Sequence, residues 1–586
     1  MVRGFKIIFI ELILLSLPSF VSAISLGQKA DFFVDPDYDL SQREEISATL
    51  QKISQKLYFY VDDEWLDKLS SSKKQEVSRA LQDLGHDFDH RIYPTLTSAF
   101  GQEWKPGIDK EAAITVLIHQ MKKGATGYFN SGDEYSRFQS PKSNEKEMVY
   151  LNADYITDPL AKSFLAHEFV HLITFNQKEK IQGVTEEVWL NEARAEYAPT
   201  LVGYDSEYEG SNLERRVKTF LENPSDSLTE WQGQEADYGA LNLFTQYLVE
   251  KYGIEILADS LQSEFTGIKS LNYALEKNGF EKDFPQIFTD WIVAVLANDC
   301  SLGEEYCYKN ENLEDLRVTP SIIFLPLEGK SNLGVNQSTK NWSGNWFKFI
   351  GGVNGTLKVE FIGNPENLFK IPYLVRDVSG QYSLDFFQLN EYQRGEILVP
   401  KFGTGISSAT IIPTIQSKAS GFSSPEPAFP FFWEASTIAE AEEPEENSNS
   451  KYLEKPITKM TRQEILVKIS EIEELLKQLK GQLVKIESEE ETPSLPSVCN
   501  QPFEEDLFYG LRNDERVSCL QEFLKSQGTE IYPEGLVTGN FLGLTKAAVI
   551  RFQEKYAEEI LTPWEITEGT GFVGETTRAK INQMLS

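Results

Sequence analysis

Long apolar runs are absent from this sequence beyond its first 23 residues. No later segment approaches the roughly 18 apolar residues of a membrane-spanning helix, so we expect no integral membrane association once the N-terminal segment is removed. That segment combines the basic residues Arg3 and Lys6 with an apolar stretch and a small-residue cleavage sequence ending at Ala23. It predicts a secretory signal peptide over 1–23, with an uncleaved anchor as the alternative because Glu11 interrupts the apolar stretch. We therefore predict a protein that is secreted or held in the cell envelope.

Cysteine is also scarce. The four cysteines, Cys300, Cys307, Cys499 and Cys519, include no C-x-x-C pair, which argues against the competing interpretation of a structural zinc site. An even number of cysteines in an exported chain indicates disulfides, although four cysteines allow three connectivities. We predict the pairs Cys300–Cys307 and Cys499–Cys519 because each pair lies within one predicted domain.

Positive charge is in short supply. The sequence has 56 lysines and arginines against 90 aspartates and glutamates, a formal net charge of −34 at pH 7. Such a surface repels phosphate groups, so nucleic acid and anionic membranes are excluded as preferred partners. Acidity favours solubility outside the cell and by itself says nothing about catalysis.

The length of 586 residues exceeds what one hydrophobic core can organise, so several domains are expected. The predicted order is a signal peptide (1–23), an α+β domain (24–317), a β-sandwich-like domain (318–418), a linker (419–455), a heptad helix or spacer (456–490) and a small all-α bundle (499–586). In the α+β domain, residues 112–120 and 147–155 have the short β-branched and aromatic runs of strands. Long helical patterns follow over 161–175, 186–201, 240–253 and 284–299. A sheet followed by helices is typical of an α+β domain.

The middle of the chain changes character. Short strand-like runs with turn residues between them occur at 345–352, 355–363, 383–389 and 409–417 and favour a β-sandwich. Residues 419–455 are rich in Pro, Ser and Glu, which predicts a linker. Apolar residues then repeat at 4-3 spacing from Ile465 to Ile486, which predicts a helix with one apolar stripe. Gly481 interrupts this helix and weakens the prediction of a coiled coil. The two interpretations are an oligomerising coiled-coil stalk and a spacer helix that packs on a neighbouring domain.

The strongest chemical motif is His167-Glu168-x-x-His171, which uses two of only five histidines. Residues i and i+4 of a helix project from one face, so both imidazoles can share one metal ion. Glu168 is placed to reach a water on that ion. A second such string runs from His86 to His90, but it lies in a polar segment beside a glycine, and we interpret both histidines as ordinary surface residues.

A zinc site with two histidines needs a third protein ligand, which the motif does not supply. The later positions of an HExxHxxGxxH motif are occupied here by Thr174 and Gln177, and no cysteine is close in sequence. The remaining option is a carboxylate on a following helix, and Glu192 lies 21 residues after His171. We predict Glu192 as the third ligand of an open His₂Glu site.

Glu192 and Glu196 are themselves four residues apart, so both face one side of a helix. Glu196 can therefore accept the free imidazole N–H of one histidine and orient it. The alternative is that these glutamates are solvated charges on an ordinary helix. If Glu192 is not the ligand, Glu186 or Glu187 is the next candidate.

This combination of HExxH with a later N-E-x-x-x-[DE] helix resembles the gluzincin metallopeptidases. More narrowly, the segments GATGYFNSGDEYS, SNEKEMVYLNAD, LAHEFVHLI and WLNEARAEYA are similar to the hyicolysin family of secreted bacterial peptidases. The resemblance covers about residues 90–300. It implies a thermolysin-like domain that binds Zn²⁺ and hydrolyses peptide bonds, and an edge strand within Gly124–Asn130 that holds the substrate backbone.

The resemblance also implies roles for individual residues. Zinc would act as a Lewis acid, and Glu168 would take a proton from water and pass it to the leaving amine. Related gluzincins stabilise the oxyanion with a tyrosine, and Tyr238, which lies 46 residues after Glu192, is the candidate here. The alternative for Tyr238 is a packing role. Tyr197 and Tyr128 are weaker candidates.

The C-terminal segment resembles the peptidoglycan-binding-like module of bacterial wall enzymes, a small three-helix bundle. The matching residues are Val517, Leu520, Gln521, Thr545, Val549, Phe552, Gln553, Gly574 and Thr577. The sequence departs from the family pattern at Leu542, where a glycine is usual, and carries a longer insertion over 557–568. The resemblance implies cell-wall binding, with a bundle that has lost binding as the alternative.

Together these patterns predict a secreted zinc endopeptidase that acts on protein or peptide substrates and is targeted to the cell wall. One alternative keeps the enzyme but makes the stem peptides of peptidoglycan its substrate. The other is a non-catalytic wall-binding adhesin or scaffold, which the intact metal motif argues against.

Overall fold

The computed structural model describes residues 24–439, except 326–331 and 353–354, and residues 502–585, except 509–510, 512–513, 534, 542, 565 and 568. The predicted signal peptide and heptad helix, Cys499, Leu542 and the linker residues 440–455 lie outside the described residues. The chain divides into two compact units at Glu446 and Asn447. It is a multidomain α+β protein with large curled sheets.

The first unit begins with a six-stranded sheet in the order β1-β2-β3-β4-β6-β5. Its strands are β1 Lys29–Phe33, β2 Glu45–Ile53, β3 Leu57–Asp62, β4 Ile114–His119, β5 Gly127–Tyr128 and β6 Met148–Asn152. Strands β3, β4 and β6 are parallel, and all residues of β4 and β6 are buried, as expected for strands covered on both faces. The two predicted strands are confirmed as β4 and β6. The short β5 pairs antiparallel with β6 and forms the sheet edge, within the range predicted for an edge strand.

Helices cover this sheet and form a lobe beside it. They are α1 Asp63–Lys68, α2 Ser71–Asp87, α3 Tyr93–Phe100, α4 Ala161–Thr174, α5 Val188–Val202, α6 Asn212–Glu222, α7 Glu235–Tyr252, α8 Glu255–Gln262, α9 Gly267–Lys277 and α10 Phe284–Ala297. The four predicted helices are confirmed as α4, α5, α7 and α10. Helix α4 packs on β6 and α5, and nearly all of its side chains are buried. It is therefore a central helix of the core.

Residues 321–439 form mostly antiparallel β-structure. The strands are β7 Ser321–Leu325, β8 Asn332–Thr339, β9 Phe347–Gly351, β10 Gly355–Gly363, β11 Phe369–Lys370, β12 Pro372–Asp377, β13 Tyr382–Phe386, β14 Arg394–Phe402, β15 Ile406–Ile411, β16 Thr414–Ile415 and β17 Phe429–Ala439. The predicted strands are confirmed. They do not form the two packed sheets of similar size that a β-sandwich would have. Nine strands form one sheet that encloses a single apolar cluster, and β11 pairs with β16 alone.

The linker prediction is wrong for residues 429–439, which form β17. This strand pairs with β10 on one side and β8 on the other, so it completes the sheet. The Pro- and Ser-rich residues before it hid an alternating apolar pattern, in which Phe431, Trp433 and Ala435 face the core. The linker prediction rested on the average composition of residues 419–455, which concealed the alternation of apolar and polar residues in this strand.

The β-structure also shares a core with the helical lobe. Trp342 and Trp346 belong to the main apolar cluster of the unit, and the Trp346 indole donates a 3.0 Å hydrogen bond to the Ile292 carbonyl on α10. The domain boundary predicted at residue 318 is therefore a change of secondary structure inside one compact unit.

The second unit is all-α in its described part. Its helices are α11 Glu515–Ser526, α12 Gly543–Lys555, α13 Ala557–Ile560 and α14 Glu575–Leu585. All family-matching residues except Gly574 are buried. Gln521 donates to Thr545 at 2.8 Å and accepts from Gly539, and Gln553 donates to Thr577 at 3.0 Å and accepts from Gly571. The signature glutamines and threonines thus hold the turns of the bundle together.

The predicted disulfides can be compared with the structure. The Cys300–Cys307 disulfide is confirmed, with a Cα–Cα distance of 5.0 Å. Cys519 is also disulfide-bonded, but its predicted partner is not among the described residues. Within the described ranges, no helix is both long and apolar enough to cross a membrane.

Candidate metal centre

Helices α4 and α5 carry the candidate site on their facing sides. His167 and His171 lie one turn apart on α4, and Glu192 lies near the start of α5. Between the helices, α4 runs on into a π-helical segment that ends at Gly183, whose φ of 70° suits glycine. This reversal returns the chain so that α5 packs against α4.

The two imidazoles and the Glu192 carboxylate converge. One ligand atom from each of these three residues lies within 4.8 Å of the other two. Glu192 Oε2 is 3.2 Å from His167 Nε2, and Glu192 Oε1 is 3.7 Å from His171 Nε2. Glu192 Oε2 is buried, yet it has no hydrogen bond of suitable geometry among the described residues. A buried carboxylate whose two oxygens face one imidazole nitrogen each fits the donor set of a divalent metal.

Glu196 holds the outer nitrogen of His167. Its Oε1 is 3.3 Å from His167 Nδ1, as the sequence predicted for an orienting carboxylate. Arg216, on α6, donates two hydrogen bonds of 2.6 and 2.7 Å to the same carboxylate, and Asn212 and Asn242 donate to it as well. Glu196 is 1% exposed, so this set of donors offsets the cost of burying its charge.

Asn191 gives the second histidine its own anchor. The Asn191 side-chain oxygen is 3.1 Å from His171 Nδ1, which leaves Nε2 directed at Glu192. Each imidazole is therefore held at Nδ1 by a residue of α5, and each presents Nε2 to the same space. This is the orientation that two histidine ligands of one ion require.

Glu168 lies beside the edge strand. A Cβ atom added to Gly127 of β5 would lie 2.8 Å from Glu168 Oε1 and 2.7 Å from the Tyr150 carbonyl. The carboxylate thus occupies space that only glycine leaves open at this position. The sequence-predicted base is thereby next to the backbone of β5.

The pKa values of the site's ionisable side chains depend on burial and on the neighbouring charges. Burial lowers the pKa of His167, but contacts with Glu192 and Glu196 outweigh burial and raise it to about 10. Burial lowers the pKa of His171. Burial raises the pKa of Glu168 to about 8, against the opposing field of His167. The carboxylates around His167 therefore favour a positive charge at its position, which a metal cation can supply in place of the proton.

Tyr238 lies in the first turn of α7, beside the same histidine. Its ring centroid is 6.4 Å from that of His167, and the Arg216 guanidinium lies over the ring at 4.3 Å. Burial raises its pKa, and Glu192 and Glu196 add to this effect, so the hydroxyl stays protonated and can donate a hydrogen bond. It has no hydrogen-bond partner in the part of the chain that the structure describes. Tyr238 thus lies beside His167, with its ring packed against Arg216.

The other candidate residues lie elsewhere. Tyr128 accepts a hydrogen bond from the Asp35 amide and packs on the sheet face away from α4. Glu186 pairs with Arg194 at 2.8 Å, and Glu187 accepts from Trp189. These contacts leave neither glutamate free to replace Glu192.

The second histidine pair lies on the surface. His86 and His90 are both exposed, and their rings stack on each other with centroids 4.4 Å apart. The intervening Asp89 caps a turn by accepting from Ser54, Gln55 and Lys56. The interpretation of these histidines as ordinary surface residues agrees with this arrangement.

Sequence reasoning missed Arg216, Asn212 and Asn242, and it placed Gly127 within the expected edge strand without assigning it a role. Asn191 belongs to the N-E-x-x-x-[DE] motif, and its position directly before Glu192 was a usable signal. The others lie on different elements, and no local pattern marks them. Only the packing of α6, α7 and β5 around the α4–α5 pair brings them to the site.

No family model and no curated protein matches the sequence. Among solved structures, the pre-peptidase C-terminal domain of a Bacillus anthracis collagenase is 8% identical, with a TM-score of 0.15 over 20% of this chain and 94% of that one. A periplasmic inhibitor of g-type lysozyme from Aeromonas hydrophila is 9% identical, with a TM-score of 0.13 over 20% of this chain and 100% of its own. A family GH115 4-O-methyl-α-glucuronidase is 10% identical, with a TM-score of 0.12 over 56% and 51% of the two chains. At these values the likenesses assign neither fold nor function.

Proposed function

We propose that the first unit is a zinc-dependent endopeptidase of the gluzincin type. The observation that carries the proposal is the convergence of His167, His171 and Glu192 within 4.8 Å, with Glu168 on the same helix as both histidines. Two imidazoles and one carboxylate are the open ligand set of catalytic zinc. The resemblance to the hyicolysin family supports a thermolysin-like arrangement, and the mixed sheet with α4 packed on it is compatible with that fold.

Zinc held by these three residues would supply a Lewis acid that polarises the scissile carbonyl and acidifies a water molecule. Glu168 is buried on the same helix as both histidines, so it can take the proton of the attacking water and return it to the leaving amine. The Tyr238 hydroxyl, kept protonated beside His167, can donate a hydrogen bond to the oxyanion. Glu196 and Asn191 hold the imidazoles in the tautomer that the ligand role requires.

The free edge of β5 supports an extended peptide as the substrate. The backbone groups of Gly127 face away from β6, because β5 is the last strand of the sheet and adjacent residues of an antiparallel strand alternate in direction. A peptide strand added there would have its backbone held beside Glu168. Backbone pairing recognises any extended chain, so protein substrates and the stem peptides of peptidoglycan both fit this geometry.

For the second unit we propose peptidoglycan binding, which would target an exported enzyme to the cell wall. The support is the resemblance of its motif residues to wall-binding modules. Because Gln521, Gln553 and their threonine partners are buried, a wall ligand would contact other residues of the bundle.

The deciding experiment measures metal content and peptide hydrolysis on the full chain. We expect about one zinc per chain and loss of hydrolysis after chelation. Glu168→Gln should retain zinc but lose a factor of roughly 10² to 10⁴ in turnover, because it removes only the proton acceptor. Glu192→Ala should lose zinc affinity itself.

Each failure has a distinct meaning. Absence of bound zinc together with chelator-resistant hydrolysis would rule out the mechanism. Normal zinc binding by Glu192→Ala would rule out the assigned ligand set. Zinc binding without hydrolysis of any protein, peptide or purified cell wall would favour the non-catalytic scaffold.

A further inference from the structure

Three tyrosines stack in a row across the edge of the first sheet. Tyr150 of β6 and Tyr128 of β5 are directly paired, and their rings stack with centroids 4.0 Å apart. Tyr38, from the loop between β1 and β2, stacks on Tyr128 at 4.6 Å and 23°. An aromatic ring has two faces, and Tyr150 occupies one face of Tyr128. Tyr38 therefore covers the other face, on the side away from β6, which is the free edge of β5.

The loop that carries Tyr38 is fixed from within. Asp39 is fully buried and accepts from the backbone amides of Ser41 and Arg43. Its carboxylate also pairs with the Arg43 guanidinium at 2.8 Å and lies 3.1 Å from His119 Nδ1, at the end of β4. The Tyr38 carbonyl accepts from the Lys122 amide. These contacts hold the Tyr38 backbone in one position.

The same edge borders the metal centre. Gly127, next to Tyr128, is the residue whose missing Cβ leaves room for the Glu168 carboxylate. Tyr38 stacks on Tyr128, the neighbour of Gly127 along β5, so it lies at the sheet edge that borders Glu168. Its side chain is nevertheless 40% exposed, which leaves surface for a ligand to cover.

We propose that Tyr38 is a specificity-determining residue, whose exposed ring surface packs against one side chain of the peptide that pairs with β5. The proposal rests on the proposed peptidase function. A fixed aromatic surface beside a backbone-pairing edge discriminates by the size and apolarity of the side chain that meets it. The preferred substrate residue at that register is therefore apolar or aromatic.

The test compares Tyr38→Ala and Tyr38→Phe with the wild-type chain on a library of peptides, followed by kcat and KM on the best one. Tyr38→Ala should lose the apolar preference at a single substrate position and raise KM about tenfold, the size expected for one lost aromatic contact. Tyr38→Phe should keep the preference because it keeps the ring. Zinc content should not change.

Tyr273→Ala is the matched control. Tyr273 on α9 is 39% exposed and contacts one aromatic ring, that of Phe265, so it resembles Tyr38 in exposure and environment. It should show wild-type preference and KM. An unchanged preference and KM in Tyr38→Ala, with an active wild-type enzyme, would overturn the role of Tyr38 alone. A wild-type chain that cleaves no peptide in a zinc-dependent manner would overturn both this role and the proposed function.

Discussion

At the scale of single residues, Arg216 connects the parts of the candidate site. Its guanidinium binds both oxygens of Glu196, and the same group lies over the ring of Tyr238. Glu196 in turn contacts His167 Nδ1. One side chain on α6 thus fixes a proposed ligand through Glu196 and also packs against the proposed oxyanion donor.

We predict that Arg216→Lys weakens zinc binding by about 10- to 100-fold, the usual cost of losing support behind a metal-ligating histidine. Lysine keeps the charge but cannot form two parallel hydrogen bonds with a carboxylate. The measurement is zinc affinity by competition with a chelator, together with the thermal unfolding temperature.

Arg194→Lys is the control for this prediction. Arg194 is also fully buried and binds a buried glutamate, Glu186, at 2.8 Å, but it does not contact the metal centre. Both variants should unfold at lower temperature, because each disturbs a buried ion pair. Equal zinc affinities for the two variants would mean that Arg216 acts only on stability.

At the scale of elements, the site depends on how closely β5 approaches α4. Gly127 is the point of contact, with Glu168 Oε1 and the Tyr150 carbonyl filling the space where a side chain would begin. Its backbone conformation is not of the left-handed kind, so the requirement for glycine is one of space alone.

We predict that Gly127→Ala lowers turnover by roughly a hundredfold, the cost of displacing a catalytic group by about 1 Å. Zinc content should stay near that of the wild type because no ligand is touched. Turnover and metal content are measured on the same preparation.

Gly405→Ala provides the comparison, since an added Cβ at this glycine of the β14–β15 turn would come no closer than 3.3 Å to another residue, the flexible Lys401 side chain. It should retain full turnover. Wild-type turnover in Gly127→Ala would show that β5 does not constrain Glu168.

At the scale of the whole molecule, β17 decides where the first unit ends. It lies between β10 and β8, and the unit boundary falls at Glu446, beyond the strand. A chain cut at residue 418, where the sequence placed the start of a linker, lacks this strand. A chain cut at residue 446 retains it.

We predict that residues 24–446 unfold cooperatively and cleave peptides with the turnover of the full chain, while residues 24–418 are insoluble or unfold at much lower temperature. Loss of an inner strand exposes the backbone edges of its two neighbours and the apolar cluster behind them. The full chain should sediment with isolated peptidoglycan, and residues 24–446 should not. Sedimentation of the shorter chain would instead make the wall a substrate candidate for the first unit.

The sequence alone determined the helices and strands that carry the site. The His167–His171 spacing and the Glu192–Glu196 spacing each define one face of one helix, and such local periods are readable because side-chain direction repeats with the backbone. The strands β4 and β6 and the Cys300–Cys307 pair were predictable for the same reason, since their signals are short in range.

Only the tertiary structure decided what surrounds those faces. Arg216, Gly127 and Tyr38 come from α6, from β5 and from a loop near the N-terminus, and no spacing in the sequence connects them to α4. The place of β17 likewise depends on its two partner strands and not on the composition around it. Contacts between distant segments form because the whole interior must be closely packed and its buried polar groups must be hydrogen-bonded. A local sequence pattern does not show which distant segments meet these requirements.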